Sequence, residues 1–307
     1  MSGEGLFRRL AVVTALFAYL QIALGGVVRV SGSGLGCPDW PLCNGRPYPP
    51  ANVHSIIEYS HRAVGSVTGV LIIATVVMAW VVFRKRRPLV AWLASASLIG
   101  VVGEGILGGI VVAKELSPWL VLVHLGLAMM IIGFLVATAI AAMPASSGVP
   151  DLNFRRLAIV VTAATYVMML TGSTVVASGA DDSCHSWPLC GGGFALDFTG
   201  ANAFTMLHRG AVLVVGLLLL HVLSKAFLRW RSVKGMGPIA VAAIAALVLQ
   251  VAVGAGSAIT GNAVFDGLHV AIGTIVWSGV LATTLLTLPR ADSNRELSRL
   301  EVDRTSA

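Results

Sequence analysis

Long apolar stretches separated by short polar links dominate the chain. Eight of them are long enough to cross a bilayer as helices, which takes about 20 apolar residues. They cover roughly 10–30, 54–83, 89–112, 118–143, 156–177, 204–227, 238–259 and 264–288. Helices are expected because backbone polar groups in lipid must be satisfied within their own segment. The runs are also too long and too uniformly apolar for barrel strands. The first run, Ala11 to Val28, exceeds a signal-peptide core and lacks a small-residue cleavage site, so it is expected to be a retained span. The pattern predicts an all-α integral membrane protein of eight transmembrane helices.

The apolar pattern also repeats. Shifted by 147 residues, Gly25 falls on Gly172, Val28 on Val175, Ser31-Gly32 on Ser178-Gly179 and Cys37 on Cys184. Trp40-Pro41-Leu42-Cys43 falls on Trp187-Pro188-Leu189-Cys190, His61-Arg62 on His208-Arg209, and Gly69 on Gly216. Shifts of 146 and 145 then match Gly108 to Gly254 and His124 to His269. The unit is four helices, and an even number of spans gives both copies one orientation. The chain is therefore expected to form two parallel-repeat four-helix bundles: residues 1–145, then 156–290, followed by a tail at 291–307 whose charges alternate in sign around Leu297 and Leu300. Pro144 and Pro150 mark the linker, about 144–155.

Charge sets the orientation. Only 11% of the residues are charged against 56% hydrophobic, where a soluble domain carries about 25% charged. Of the 21 Lys and Arg, 16 fall on one side of the predicted spans, including the run Arg84-Lys85-Arg86-Arg87. The other five are Arg29, Arg46, Arg62, Lys114 and Arg209. Positive charge stays cytoplasmic, which puts both termini inside and both cysteine pairs outside. The +7 net charge is thus a topology signal and does not point to nucleic acid. Cys37/Cys43 and Cys184/Cys190 then lie on the oxidising side, which suits disulfides. Zinc would call for a CxxC-type spacing that neither loop has. A structural clip and a redox role both fit such short loops.

Histidines carry the candidate chemistry. His61 and His208 lie in the second helix of each half, and His124 and His269 in the fourth. All four are expected about 10 Å from the outer end, at 1.5 Å per residue, so the two rings of each half can meet at one depth. Facing imidazoles inside a four-helix bundle are a common heme site. A single core histidine is more often simply hydrogen-bonded. Four at repeat-related positions in lipid favour ligation, because polar groups there are costly without a role. Gly65, Gly69 and Gly126, with Gly210, Gly216 and Gly273, would leave room for a flat macrocycle. His54 and His185 are expected to be exposed loop residues, and His221, whose repeat mate is Ala74, to be structural. Arg62 and Arg209 are candidates for pairing with heme propionates.

One difference between the halves stands out. Glu58 shares a helix face with His61, and its repeat mate is Thr205. A buried carboxylate beside one site only can stabilise developing positive charge, although an acidic residue near a helix start also complements the macrodipole. Glu104, with Gln250 as its mate, is a second intramembrane carboxylate that would serve a proton path, a propionate neighbour or a helix-to-helix hydrogen bond.

The stretch Ile57-Glu58-Tyr59-Ser60-His61-Arg62, the outer cysteine pairs and the four histidines on alternate helices resemble the heme A synthase family over essentially residues 8–290. The resemblance implies oxidation of a ring methyl of heme O to the formyl group of heme A. It implies heme b as a cofactor held by His208 and His269, substrate heme held by His61 and His124, a catalytic Glu58, and a disulfide between Cys37 and Cys43. The second cysteine pair is not general among relatives. Partners implied are a heme O synthase and a membrane electron-transfer protein; a homo-oligomer is left open. A bis-histidine iron has no open position for oxygen. Either one histidine leaves during turnover, or oxidising equivalents are withdrawn stepwise and water supplies the oxygen, with Glu58 stabilising a cation at the methyl carbon.

Three other classes compete. A diheme b-type electron carrier explains the histidines but not the one-sided Glu58. A quinone-coupled disulfide generator explains the cysteines but not the histidines. A transporter explains only the repeat.

Overall fold

The computed structural model describes residues 3–290, and all eight predicted spans are helices. They are α1 (Gly3–Val30), α2 (Val53–Phe83), α3 (Pro88–Ala113), α4 (Pro118–Ala141), α5 (Leu152–Ala177), α6 (Asn202–Trp230), α7 (Met236–Thr260) and α8 (Ala263–Thr287). The tail at 291–307 lies outside the described residues.

The helices outrun the apolar stretches at their charged ends. α1 begins at Gly3, seven residues before the predicted span, and Arg8 reaches back to Glu4 at 3.3 Å within that first turn. α6 continues past Lys225 and Arg229 to Trp230. α5 starts inside the predicted linker because Asp151 caps it, accepting from the Phe154 N–H at 2.9 Å. Hydropathy measures the length in lipid; caps and first-turn pairs decide where the helix itself ends. α3 and α4 each start on a proline, Pro88 and Pro118, where the missing N–H costs nothing.

Contacts run in two rings. α1 packs on α2, α2 on α3, α3 on α4 and α4 back on α1; α5 to α8 close in the same way. The rings meet where α1 and α4 face α5 and α8. That seam buries Met129, Ile132, Leu135 and Trp277. Across it Trp277 Nε1 donates to the Met129 carbonyl at 2.8 Å, and the Tyr166 hydroxyl to the Gly126 carbonyl at 3.0 Å. On the opposite faces, residues such as Val81 and Ile99 are about three-quarters exposed, as suits helices that turn apolar side chains to lipid. After α4 the link is pinned to the end of α8: Ser146 and Arg290 exchange backbone hydrogen bonds at 3.0 and 2.8 Å.

The connections α1–α2, α3–α4, α5–α6 and α7–α8 gather at one end of the bundle. The two long ones hold the cysteines, and both pairs are disulfides, Cys37–Cys43 and Cys184–Cys190.

Candidate functional site

Each candidate histidine sits six to eight residues into an even-numbered helix: His61 after Val53, His124 after Pro118, His208 after Asn202 and His269 after Ala263. At 1.5 Å per residue that is about 9–12 Å from the cysteine-loop end. His61 and His124 lie within electrostatic reach of one another, as do His208 and His269. All four are half-buried.

Opposite each histidine stands a glycine of the preceding helix. A Cβ on Gly25 would lie 3.1 Å from His61 Cε1, and one on Gly108 3.4 Å from His124 Cε1. The matching distances are 2.9 Å for Gly172 to His208 and 2.8 Å for Gly254 to His269. In an antiparallel pair joined by a loop, a glycine five or six residues before one helix ends comes roughly level with a histidine six to eight residues after the next begins. The sequence repeat contains these glycines, but its periodicity does not tie them to the histidines. Of the glycines expected to make room for a macrocycle, Gly69, Gly210 and Gly216 face open space. Gly65 is packed against Gln21, Gly126 against Leu170 and Tyr166, and Gly273 against Gln250. The second set serves helix packing, because long side chains from neighbouring helices already fill the space beside it.

The ring nitrogens differ between halves. His208 Nδ1 hydrogen-bonds Thr171 Oγ1 at 3.1 Å. In the first half it is Nε2 of His61 that is engaged, by the Gln21 amide at 3.2 Å. The backbone of Gln21 also lies against the His61 ring, as that of Met168 lies against His208. Glu104 Oε1 is 3.2 Å from His124 Nδ1, without the alignment of a hydrogen bond, and its Oε2 is buried with no partner. Its counterpart Gln250 instead donates to the His269 carbonyl at 3.0 Å. Neither Gln21 nor Thr171 stands out in the sequence. The signal that could have found them is the mismatch at repeat positions beside matched histidines: Gln21 against Met168, and Leu24 against Thr171.

Glu58 is 4% exposed and tied to the first cysteine loop. It accepts from the Cys37 N–H at 2.7 Å and pairs with Arg62 at 2.5 Å. Arg62 spends its other donors on the carbonyls of Cys37, Asp39 and Leu42, at 2.6 to 2.7 Å. Arg209 likewise binds the carbonyls of Ser186 and Pro188, above a buried Thr205 where the first half has its carboxylate. Both arginines thus hold a cysteine loop down on its helix. Outside the membrane-spanning segments, Asp39 accepts from the Gly45 and Asn44 N–H groups, and the Gly45 bond foremost holds its carboxyl below the usual range.

Trp40 and Trp187 are about half exposed, and Trp40 lies over Gly109 of α3. His54 is exposed and bonded to Ser33 at 3.0 Å; His185 and His221 are exposed too. His221 therefore lies on the outer face of α6 and is not packed among the helices.

An eight-helix bundle of apolar spans, with glycine-backed histidines in each half and a buried Glu58 in only one, defines a multi-pass membrane protein that carries polar, chemistry-bearing groups inside its spans. The comparisons with known proteins agree. Residues 8–56 and 52–281 match the COX15-CtaA family model, described as cytochrome oxidase assembly protein. The heme A synthase of Shouchella clausii is 32% identical over 69% of this chain and 73% of its own length. That of Alkalihalophilus pseudofirmus is 29% identical over 90% of this chain and 95% of its own. The heme A synthase of an Exiguobacterium species is 28% identical over 86% and 87%. The chain belongs to the heme A synthase family, and with it is a multi-pass membrane oxidoreductase that modifies heme.

Proposed function

We propose that this protein oxidises a ring methyl of heme O to the formyl group of heme A, with the substrate between His61 and His124 and a heme b between His208 and His269. The observation that carries the proposal is the arrangement of the two halves. Each has histidines from alternate helices at one depth, each ring seated on a glycine, and open space lies beside Gly69, Gly210 and Gly216. Half-buried rings, with small residues that leave open space two turns further along the same helix face at Gly69 and Gly216, fit a flat macrocycle and two axial nitrogens. Heme b, when bound, would supply one-electron transfer to and from the other half.

The remaining roles fall to the chain's own residues. Thr171 fixes the His208 tautomer by engaging Nδ1, so that Nε2 faces the site. Glu58 is a fixed anion at the mouth of the first half only. Its two hydrogen-bonded oxygens keep it in place, so stabilising positive charge on the substrate needs little reorganisation. Arg62 couples that carboxylate to the Cys37–Cys43 loop. Arg62 and Arg209, whose guanidinium groups lie at the loop end, also remain candidates for the propionates. The charge distribution supports cytoplasmic termini and outward cysteine loops in the cell membrane. Partners are a heme O synthase, which would deliver the substrate, and a membrane electron acceptor.

The test is conversion. Expressed with a heme O source, the protein should yield extractable formyl heme, and Glu58→Gln should lose at least 90% of it while keeping bound heme b. A protein that binds both hemes but converts none would be an electron carrier, and the proposal would be wrong.

A further inference from the structure

The two candidate sites are built alike at their glycines and histidines and unlike around them, and the difference concerns which ligand can let go. In the second half His208 is held through Nδ1 by Thr171. Among the described residues no hydrogen bond reaches its Nε2. That is the usual way to fix a metal-binding histidine: one nitrogen tied back, the other presented. In the first half the amide of Gln21 is bonded to His61 Nε2 itself, while Leu24 stands where Thr171 would be. The protein therefore offers the His61 ligating nitrogen an alternative partner. The side chain of Met168, the counterpart of Gln21, has no amide to offer His208 Nε2, although the Met168 backbone lies against the ring as that of Gln21 does against His61. The other first-half ligand is treated in the opposite way. Glu104 places an oxygen 3.2 Å from His124 Nδ1, out of line for a hydrogen bond as the ring now stands but within reach of one after a small ring rotation; a carboxylate that accepts from the far nitrogen of an imidazole raises its basicity and strengthens its bond to a metal.

We propose that His61 is the exchangeable ligand of the substrate heme, that Gln21 is the positioning residue that receives its Nε2 when iron does not, and that His124, backed by Glu104, is the ligand that stays. The exchange balances without redox change. The iron–Nε2 bond breaks, its electron pair returns to the nitrogen, and that pair accepts an amide N–H of Gln21 in place of iron. The result is an open iron position in the substrate half and none in the heme b half. A built-in partner for the free ring also lowers the cost of leaving, since an imidazole nitrogen released among apolar helices without a partner is penalised. The inference rests on the assignment of the first half as a heme site.

The experiment uses the purified, heme-loaded full chain and reads spectra, not turnover. The probe is carbon monoxide added to the reduced protein, with imidazole as a rescue ligand. Gln21→Met, which installs the residue found at the equivalent position of the other half, should weaken carbon monoxide binding to the first-half heme about tenfold and leave the second-half heme unchanged. His61→Ala should keep first-half heme as a high-spin species that imidazole converts to low spin. His124→Ala should lose that heme, and Glu104→Gln should weaken its retention about tenfold. Unchanged carbon monoxide binding in a folded Gln21→Met protein overturns the role of Gln21. Heme lost with His61→Ala but kept with His124→Ala reverses the assignment and overturns the proposal. If neither histidine variant alters first-half heme content, the heme-site assignment itself is wrong, which is a different failure from either of these.

Discussion

At His61, His124, His208 and His269 the ring carbon Cε1 lies where a facing residue larger than glycine would press on it, and the closeness is graded. The hypothetical Cβ is 2.8 Å away at Gly254 and 2.9 Å at Gly172, closer than real Cβ atoms approach carbon, but 3.4 Å at Gly108. Gly172→Ala must therefore displace the His208 ring, whereas Gly108→Ala can be accommodated by a shift of a few tenths of an ångström. Ligand geometry tolerates little, and disturbing the support of a metal-binding histidine typically costs 10–100-fold in affinity. Gly172→Ala is expected to reduce heme b retention about tenfold, and Gly108→Ala to leave first-half heme within about twofold. Alanine also gains about 1 kcal/mol of helix propensity over glycine, so the melt of the heme-free variant should not fall, whereas the heme-loaded protein melts lower only by the stabilisation that the lost heme supplied. Heme per polypeptide after detergent extraction, read beside a thermal melt, decides the matter. Equal retention in the two variants would show that the glycine–histidine register is not what holds the rings.

The cysteine loop between α1 and α2 behaves as an element because Arg62 and Asp39 organise it from either side. Arg62 donates to three loop carbonyls and to Glu58, whose side chain is 5% exposed. Removing one partner of a buried pair strands the other, at a cost of about 3–5 kcal/mol. Arg62→Ala should thus destabilise the protein by about 3 kcal/mol, seen as a lower melting temperature in detergent. Arg62→Lys should recover only part, since an ammonium keeps the charge but not the planar fork. Asp39 adds a pH dependence. Its carboxyl is held below the usual carboxylate range, first by the Gly45 N–H, so the folded loop favours the ionised form. The resulting stabilisation is complete above the unfolded value of about 3.9 and is lost as pH falls through the lower folded value. Protection of the Asn44 and Gly45 amides from hydrogen exchange should accordingly hold from pH 7 to about 4 and fall below that. Asp39→Asn should flatten this profile; a profile that survives the substitution would assign the effect to another group.

At the scale of the molecule, the sequence carried what hydropathy and repetition can carry. The eight spans fall where the apolar runs lie, and the cysteine pairs are the disulfides their spacing and side suggested. What escaped is what depends on facing surfaces. Nothing in one chain's pattern says that Gly108 opposes His124, that Gln21 reaches a ring nitrogen, or that Arg62 and Arg209 turn toward loop carbonyls. These are matters of helix rotation and side-chain direction, which apolar periodicity leaves open in helices that are apolar all round. The seam between the two rings is the largest such feature. Trp277 fills it from α8, 7% exposed, its ring tilted against Tyr166 at 5.5 Å between ring centroids and its Nε1 donating to the Met129 carbonyl of α4. In lipid there is no hydrophobic drive to bring the rings together, so packing and interhelical hydrogen bonds must do it. Such bonds contribute about 0.6 kcal/mol on average and up to about 1.7. Trp277→Phe, which keeps an aromatic ring and removes the donor, should therefore cost about 1 kcal/mol. Trp277→Ala should cost about 3–5 kcal/mol through the cavity it leaves. The site residues lie on ring pairs α1–α2, α3–α4, α5–α6 and α7–α8, each closed without Trp277. Heme spectra should then remain unchanged in Trp277→Phe while the unfolding midpoint in a denaturing detergent falls. A shift in the heme spectra at unchanged stability would mean instead that the seam sets the geometry of the sites and that the two halves are not independently built.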